Sequence, residues 1–383
     1  MIRHAAYLVV PALLALGMPL AGHAQAPVAA GTSADTAALD RIVADAIATR
    51  KAVGVSIAIS RGSAPPLLLS YGKADLENDV PVTPASVFRI GSITKQFTAA
   101  AIMLLVERGQ VSLDDTLYKF IPDFPMADKV TIRQLLTHTS GVHNYTEAAS
   151  FGTAMMADHT PREMVAYIKA LDPVFDFAPG ERWNYSNSGF VLLGYIVAQV
   201  SGVPYASFIR DNLLTPLGMN DTAIDTIPAI VPHRTHGYSF SPKGEIVNTD
   251  YLSMTAPYGA GEIRSTAADL VRWHKGLLGG KVLRPESLAL MTTPARLNNG
   301  RLSSTSHPAG PRGATEYGFG LVLGTQNGKR TIEHGGAING FRSQITTLPD
   351  EKLTVVMLVN ADVAGDVRQR IFDAAVALGQ GKK

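Results

Sequence analysis

The feature that most limits how this chain can fold is the stretch FTAAAIMLLV at 97–106, where Thr98 is the one polar residue. A helix apolar on every side has no surface face, so this one must run through a core and be covered by other elements. What precedes it matters as much. Ser92 stands at the expected start of the helix, after Gly91, which can take an unusual backbone turn. Lys95 follows three residues on, placing its side chain beside the serine on one helical face. A hydroxyl at a buried helix N-terminus, one turn from an amine, suits nucleophilic catalysis. Serine needs a base within reach, and lysine becomes one when burial and the positive end of the helix dipole lower its pKa. An N-capping serine ahead of a solvated lysine fits the same four residues. So does Ser70-Tyr71-Gly72-Lys73, which closes an apolar strand-like run and carries an internal glycine. Context, not pattern, favours Ser92.

Composition narrows the class. The 383 residues are 46% apolar and 17% charged, which suits a globular enzyme with a substantial core. A formal net charge of +2 gives no sign of nucleic-acid binding or of attraction to an acidic membrane surface. The absence of cysteine excludes disulfides, thiolate metal sites and a cysteine nucleophile. At the N-terminus, Arg3 and His4 precede an apolar run that ends in small residues, the layout of a secretory signal over 1–24. Cleavage after Ala24 fits better than after Ala26, because Pro27 would follow the later cut directly. An uncleaved anchor is the rival, disfavoured by Pro11 within the run. A secreted, periplasmic protein with no stable membrane span is expected.

After a tether at 25–35, apolar periodicity predicts a helix over 36–50 and a strand pair at 53–60 and 66–71. The middle of the chain reads as helical at 131–138, 161–170, 189–200 and 266–278, with a small hairpin around Lys243-Gly244 and a surface loop at 297–315. Strands return at 317–324, 330–333, 341–348 and 353–360, followed by a closing helix at 366–378. This order predicts an α+β fold: an antiparallel sheet built from both chain ends and flanked by terminal helices, with an inserted, mostly helical domain. The domain would span 36–380, with its α/β part at 36–91 and 316–380 and the helical insertion at 92–315.

Two further motifs follow Ser92 in order. In Tyr185-Ser186-Asn187, a phenol near a serine–lysine pair can relay a proton and an amide can orient a substrate carbonyl; a core tyrosine and a helix cap (Asn187 or Ser188) fit equally. In His334-Gly335-Gly336-Ala337, at a strand end, paired glycines admit a close neighbour, so backbone N–H groups can face a bound carbonyl. An ordinary glycine turn fits too. Other candidates are weaker. His233 and His236 lack a carboxylate partner for metal in sequence, and Arg342 reads as a solvated strand arginine. No Gly-x-Ser-x-Gly elbow is present.

Taken together, Ser92-Ile93-Thr94-Lys95, Tyr185-Ser186-Asn187 and His334-Gly335-Gly336 resemble the three motifs of the serine β-lactamase-like and penicillin-binding superfamily. The flanking text, including LLTHTSG at 135–141, PGERWNYSNSG and GAGEIRSTAADL, is most similar to its class C β-lactamase-related branch of D-aminopeptidases, D-alanyl-D-alanine carboxypeptidases and esterases. The resemblance covers nearly all of the chain after the leader and implies a β-lactamase/transpeptidase-like fold. It also implies roles. Ser92 would be acylated, with Lys95 and Tyr185 sharing proton transfer and Asn187 holding substrate and Lys95. The backbone N–H groups of Ser92 and Ala337 would form an oxyanion hole. His334, Gly335, Gly336, His138 and Asn144 would bind substrate, with His143 and Tyr145 also lining the cleft. No cofactor or metal is implied. β-Lactamases of this kind usually carry Lys-Thr-Gly at the third motif, whereas a histidine there is mostly neutral and attracts a carboxylate less. The expected substrates are therefore short D-amino-acid peptides, cell-wall derived among them, or carboxylic esters. A β-lactamase is the alternative, and a non-hydrolytic peptidoglycan or β-lactam sensor is the alternative of another class.

Overall fold

The computed structural model describes residues 35–303 and 315–381. The expected signal and nearly all of the tether lie outside them, as does most of the second half of the 297–315 loop. Helix α1 (Ala37–Ala48) leads into strands β1 (Gly54–Arg61), β2 (Leu67–Asp75) and β3 (Val80–Pro81), and helix α2 (Thr94–Glu107) follows. Helices α3 (Asn187–Ser201) and α4 (Ala267–Leu278) are the long elements of the middle region. The chain then returns through β4 (Glu316–Tyr317), β5 (Val322–Gln326), β6 (Lys329–Ile338), β7 (Phe341–Leu348) and β8 (Leu353–Val359) to α5 (Gly365–Gly379).

These eight strands form one antiparallel sheet in the order β3-β2-β1-β8-β7-β6-β5-β4. First and last strands meet at its centre, with Val55 opposite Val359 and Ile59 opposite Val355. Both faces of β1 and β8 are covered, which is why they read as continuous apolar runs rather than as alternating ones. Leu39 and Val43 of α1 join Ile371 and Phe372 of α5 on one face, while α2 and α4 pack on the other. The α+β architecture expected from the sequence is the one found. No single helix among the described residues is long and apolar enough to cross a membrane.

Helix α2 is buried along nearly its whole length. Phe97 stacks on Trp273 of α4 with ring centroids 3.9 Å apart. Thr98, its polar interruption, accepts from the Tyr205 hydroxyl and donates to the Gly259 carbonyl, both at 2.6 Å. That satisfied hydroxyl ties α2 to the backbone at 258–260.

Several boundaries differ from the sequence expectation for identifiable reasons. The helix expected over 131–138 is Ile132–Leu136, capped by Thr131 and ended by His138, whose φ of +60° is the left-handed conformation that stops a helix. The strand expected at 317–324 is two, β4 and β5, separated by a turn in which the Gly318 N–H donates to the Leu321 carbonyl. Gly320 sits in that turn at φ +65°, and a β-carbon there would lie 2.7 Å from the Lys95 carbonyl oxygen. Strand β6 does not stop at 333: it runs through both glycines to Ile338, because β7 pairs with it along that length.

Replacing Phe97 by alanine removes the ring that seats α2 against α4. The expected loss is about 3–5 kcal/mol of unfolding free energy, read by urea denaturation with an unchanged m-value. A loss below 1 kcal/mol would show that this stack does not anchor the helix.

Candidate active site

Ser92 lies in a single tight turn, Gly91–Ile93, that feeds directly into α2. Gly91 has φ +51°, and a β-carbon on it would come within 3.1 Å of the Ala337 backbone. This glycine therefore lets the serine turn rest against β6. One helical turn on, Lys95 is fully buried. Its Nζ lies 3.2 Å from Ser92 Oγ, 2.7 Å from Asn187 Oδ1 and 2.8 Å from the Ala260 carbonyl oxygen. Burial drives its pKa well below the ordinary lysine value. A neutral amine has two N–H bonds and one lone pair. Asn187 Oδ1 and Ala260 O can only accept, so they take both hydrogens and leave the lone pair for the Ser92 proton. The competing pair at Ser70 and Lys73 has no such geometry. On strand β2 the two residues face opposite sides, and Lys73 pairs with Asp79 at 2.6 Å.

The Tyr185 hydroxyl lies close enough to Ser92 to act on it, and its ring lies 4.8 Å beneath Lys95 Nζ. Burial raises the phenol pKa and the Ser92 contact lowers it in part, so Tyr185 holds its proton at neutral pH. A buried amine and a half-buried phenol, with pKa values moved in opposite directions, thus flank one hydroxyl.

Asn187 is held by a chain of amides whose orientation is fixed from its far end. Glu147 accepts from Asn144 Nδ2 at 2.9 Å, so Asn144 Oδ1 must face Asn187, where it accepts from the backbone N–H at 3.1 Å and from Nδ2 at 3.2 Å. Asn187 Oδ1 is thereby turned to the lysine. The cap of α3 is Ser186, accepting from the Gly189 N–H at 3.4 Å, rather than Asn187 or Ser188. Asn187 is engaged by Lys95, and Ser188 donates to the His143 carbonyl at 2.6 Å. Asn144 is buried and engaged with Asn187 and Glu147. This corrects the expectation that it binds substrate directly: it positions Asn187.

The third motif lies on an open strand edge. Strand β5 pairs with β6 only as far as Val322–Glu333, so among the described residues β6 has no partner strand on that side from His334 onward. The chain leading into the Ser92 turn packs against the β6 glycines. A β-carbon at Gly336 would lie 2.0 Å from the Ile90 carbonyl oxygen and 2.2 Å from Ser343 Oγ, so only glycine admits the approach. Ala337, next along, is exposed.

His138 and His334 are both buried, at 1% and 4% exposure, and are joined through Tyr317 beneath the site rather than presented on its surface. The Ser186 N–H meets His138 Nδ1 at 3.2 Å, and His138 Nε2 meets the Tyr317 hydroxyl at 3.1 Å. That hydroxyl meets His334 Nε2 at 2.9 Å, and His334 Nδ1 meets the Gly335 carbonyl oxygen at 2.6 Å. A backbone N–H can only donate and a carbonyl can only accept, so every proton in the chain is assigned from its two ends. His138 carries its proton on Nε2, Tyr317 donates to His334, and His334 carries its proton on Nδ1. Both rings are neutral. The His138 ring stacks 4.4 Å from Tyr185, which it supports. The substrate contacts expected of His138 and of the His334 ring are corrected accordingly.

Of the other expected cleft residues, Tyr145 is buried with its hydroxyl on the Ala256 carbonyl, and His143 pairs with Asp176 at 2.7 Å. Arg342 is not a solvated strand arginine: it pairs with Asp362 at 2.6 Å. His236 lies near Asp75 and Glu77, whose carboxylates are bonded to Asn78 and Tyr238. Sequence reasoning missed Ala260, Tyr317 and Glu147. Ala260 acts through a backbone carbonyl, which leaves no residue signature. Tyr317 and Glu147 act from segments with no motif.

The model of the family described as Beta-lactamase matches residues 39–379. Penicillin-binding protein 4* of Bacillus subtilis strain 168 is 30% identical over 320 residues, covering 80% of this chain and 68% of that protein. Among solved structures, the octameric penicillin-binding protein homologue from Pyrococcus abyssi superposes with TM-score 0.78 at 30% identity, over 91% of this chain and 78% of that one. D-amino acid amidase from Ochrobactrum anthropi SV3, complexed with L-phenylalanine amide, superposes with TM-score 0.77 at 28% identity, over 91% and 99%.

The neutral histidines give an acid-side stability loss whose sign is fixed. Burial lowers the His334 pKa to about 4, against roughly 6.5 in the unfolded chain. Burial likewise lowers His138, and lowers His274 to about 3. Above pH 6.5 neither state is protonated and the contribution is complete. Between 6.5 and 4 the unfolded chain takes up protons that the native one refuses, so stability falls by about 1.4 kcal/mol per pH unit for each such histidine. Urea midpoints at pH 7, 6 and 5 should decline steeply, and His334→Gln should flatten the decline. An unchanged midpoint would contradict burial of neutral rings.

Proposed function

Because the chain belongs to the Beta-lactamase family, we propose that it is an exported serine hydrolase that cleaves amide or ester bonds through an acyl-enzyme on Ser92. Short D-amino-acid amides and peptides, or carboxylic esters, are its substrates. The observation that carries this reading is the desolvated Lys95 amine, its hydrogens committed to Asn187 and Ala260, aimed at Ser92 Oγ. The likeness to a D-amino acid amidase supports the substrate class. The charged–apolar–small layout at 1–24 supports export.

In this reading Lys95 takes the Ser92 proton as Oγ attacks the carbonyl carbon. The oxyanion that forms is held by the backbone N–H groups of Ser92 and Ala337. Tyr185 gives its phenolic proton to the leaving nitrogen or oxygen and recovers the proton that Lys95 took from Ser92. Water then attacks the acyl-enzyme with the same groups acting in reverse. An extended substrate can lie along the open edge of β6. The neutral, buried His334 offers no cation to a β-lactam carboxylate, which ranks the β-lactamase alternative below amide and ester hydrolysis.

Three chromogenic substrates discriminate: a p-nitrophenyl ester, D-alanine p-nitroanilide and a chromogenic cephalosporin. Turnover should be strongest on the first two and fall by on the order of a thousandfold or more in Ser92→Ala. Lys95→Gln should lower kcat by roughly a hundredfold to ten-thousandfold with a small change in KM, since it removes a proton acceptor and not a binding contact. Equal activity of wild type and Ser92→Ala would overturn the proposal, and equal inactivity on all three would favour a non-hydrolytic sensor.

A further inference from the structure

Three arginines converge on one carboxylate a few residues from the serine. Asp225 is buried, and it accepts Arg89 Nε at 2.9 Å and Arg234 Nη1 at 2.9 Å, with Arg264 Nε at a looser 3.6 Å. Arg234 is further engaged, its Nη2 donating to the carbonyls of Thr226 and Ala229. The forks of Arg89 and Arg264 are not: among the described residues their Nη groups meet no acceptor, and Arg264 Nε is buried without a hydrogen bond. One carboxylate therefore contacts three guanidinium groups, with Asp221 near enough to act on Arg264 as well. The remaining charged or titratable groups on the wall are His236, Asp250 and Tyr251, the last two exposed at the rim.

All three arginines line a cavity of about 270 Å³ closed by Phe88, Phe341 and the 249–252 segment. It shares no lining residue with the serine site yet adjoins it. Arg89 is three residues from Ser92, no more than about 11 Å along the chain. Across the cavity Asn339, two residues past Ala337, donates to the Asp250 carbonyl at 3.2 Å. Guanidinium forks without a protein acceptor, on residues that line a cavity, suit a planar or tetrahedral oxyanion, which can take two parallel N–H bonds from each.

We propose that this cavity is an oxyanion-binding site, seating a carboxylate or phosphate group between the free forks of Arg89 and Arg264 beside the serine centre. The group belongs either to the substrate or to a separate small acid, and the chemistry that holds it is the same. Such a site selects acidic molecules where the serine centre itself, with His334 neutral, does not.

The binding arm uses full-length Ser92→Ala protein, glutarate and inorganic phosphate in titration calorimetry, and so stands whether or not the hydrolase reading holds. Saturable binding of either probe at one site, weakened about tenfold or more by Arg264→Gln, is expected. Arg264→Gln leaves Asp225 paired with Arg89 and Arg234; should it fail to fold, Arg264→Lys, which keeps the charge and loses the fork, carries the comparison. Absence of saturable binding by both probes, or binding indifferent to these variants and equal to that of a distant Arg210→Gln control, would overturn the proposal. The kinetic arm rests on the proposed hydrolase activity and compares mono-p-nitrophenyl glutarate with p-nitrophenyl butyrate. A substrate-borne group predicts that Arg264→Gln raises KM about tenfold for the glutarate ester alone and that free glutarate competes with it. A separate acid predicts that the KM ratio is unchanged while glutarate still binds.

Discussion

The structure depends on keeping one ammonium group out of water. An ionised lysine in the position of Lys95 would cost several kcal/mol to bury, a cost that deprotonation avoids. Everything near it serves that condition. Helix α2 is apolar on all sides, so the side chain has no route to solvent, and two acceptors from distant segments fix the amine once it is neutral. Those acceptors need fixing in turn. The Asn187 amide is oriented by Asn144, and Asn144 by the Glu147 carboxylate. Ala260 is held near by Thr98, whose hydroxyl binds the adjoining Gly259 carbonyl.

The second arrangement of this kind is the run from the Ser186 N–H to the Gly335 carbonyl through His138, Tyr317 and His334. Both systems end on groups with no choice of role, a carboxylate or a backbone amide. Buried polar chains anchored in this way have one proton arrangement and hence one geometry, which is what a site needs when no solvent can reorganise around the reacting atoms. The first chain orients the Lys95 amine; the second supports the Tyr185 ring and keeps the strand edge uncharged.

Much of this was legible in the residues themselves. The all-round apolarity of 97–106 foretold a core helix, and apolar runs near both ends of the chain foretold a central sheet built from both. Ser92 and Lys95 stood out by their place at the head of that helix, Tyr185 and Asn187 by the family resemblance, and the structure brings the four together. The errors share a cause. The glycines of β6 were read as a strand end because glycine weakens strands, but pairing with β7 overrides that preference while the chain leading into the Ser92 turn packs against them. His138 and Asn144 were placed on the cleft by the family resemblance. Their burial and their partners are tertiary facts, as is the Ala260 carbonyl, and one-dimensional spacing carries none of them.

The meeting of β1 with β8 at the sheet centre has a consequence in time. A ribosome delivers the serine and its lysine early, then the asparagine, then the Ala260 turn, and delivers the glycine strand and the central closing strand last. Pairings this distant in sequence are slow to form. Until they do, Lys95 has neither its burial nor both acceptors and remains an ordinary solvated ammonium, and Ser92 an ordinary hydroxyl. A chain lacking either acceptor lacks the oriented amine. The proposed reactivity is thus a property of the assembled topology and not of the serine or the lysine alone.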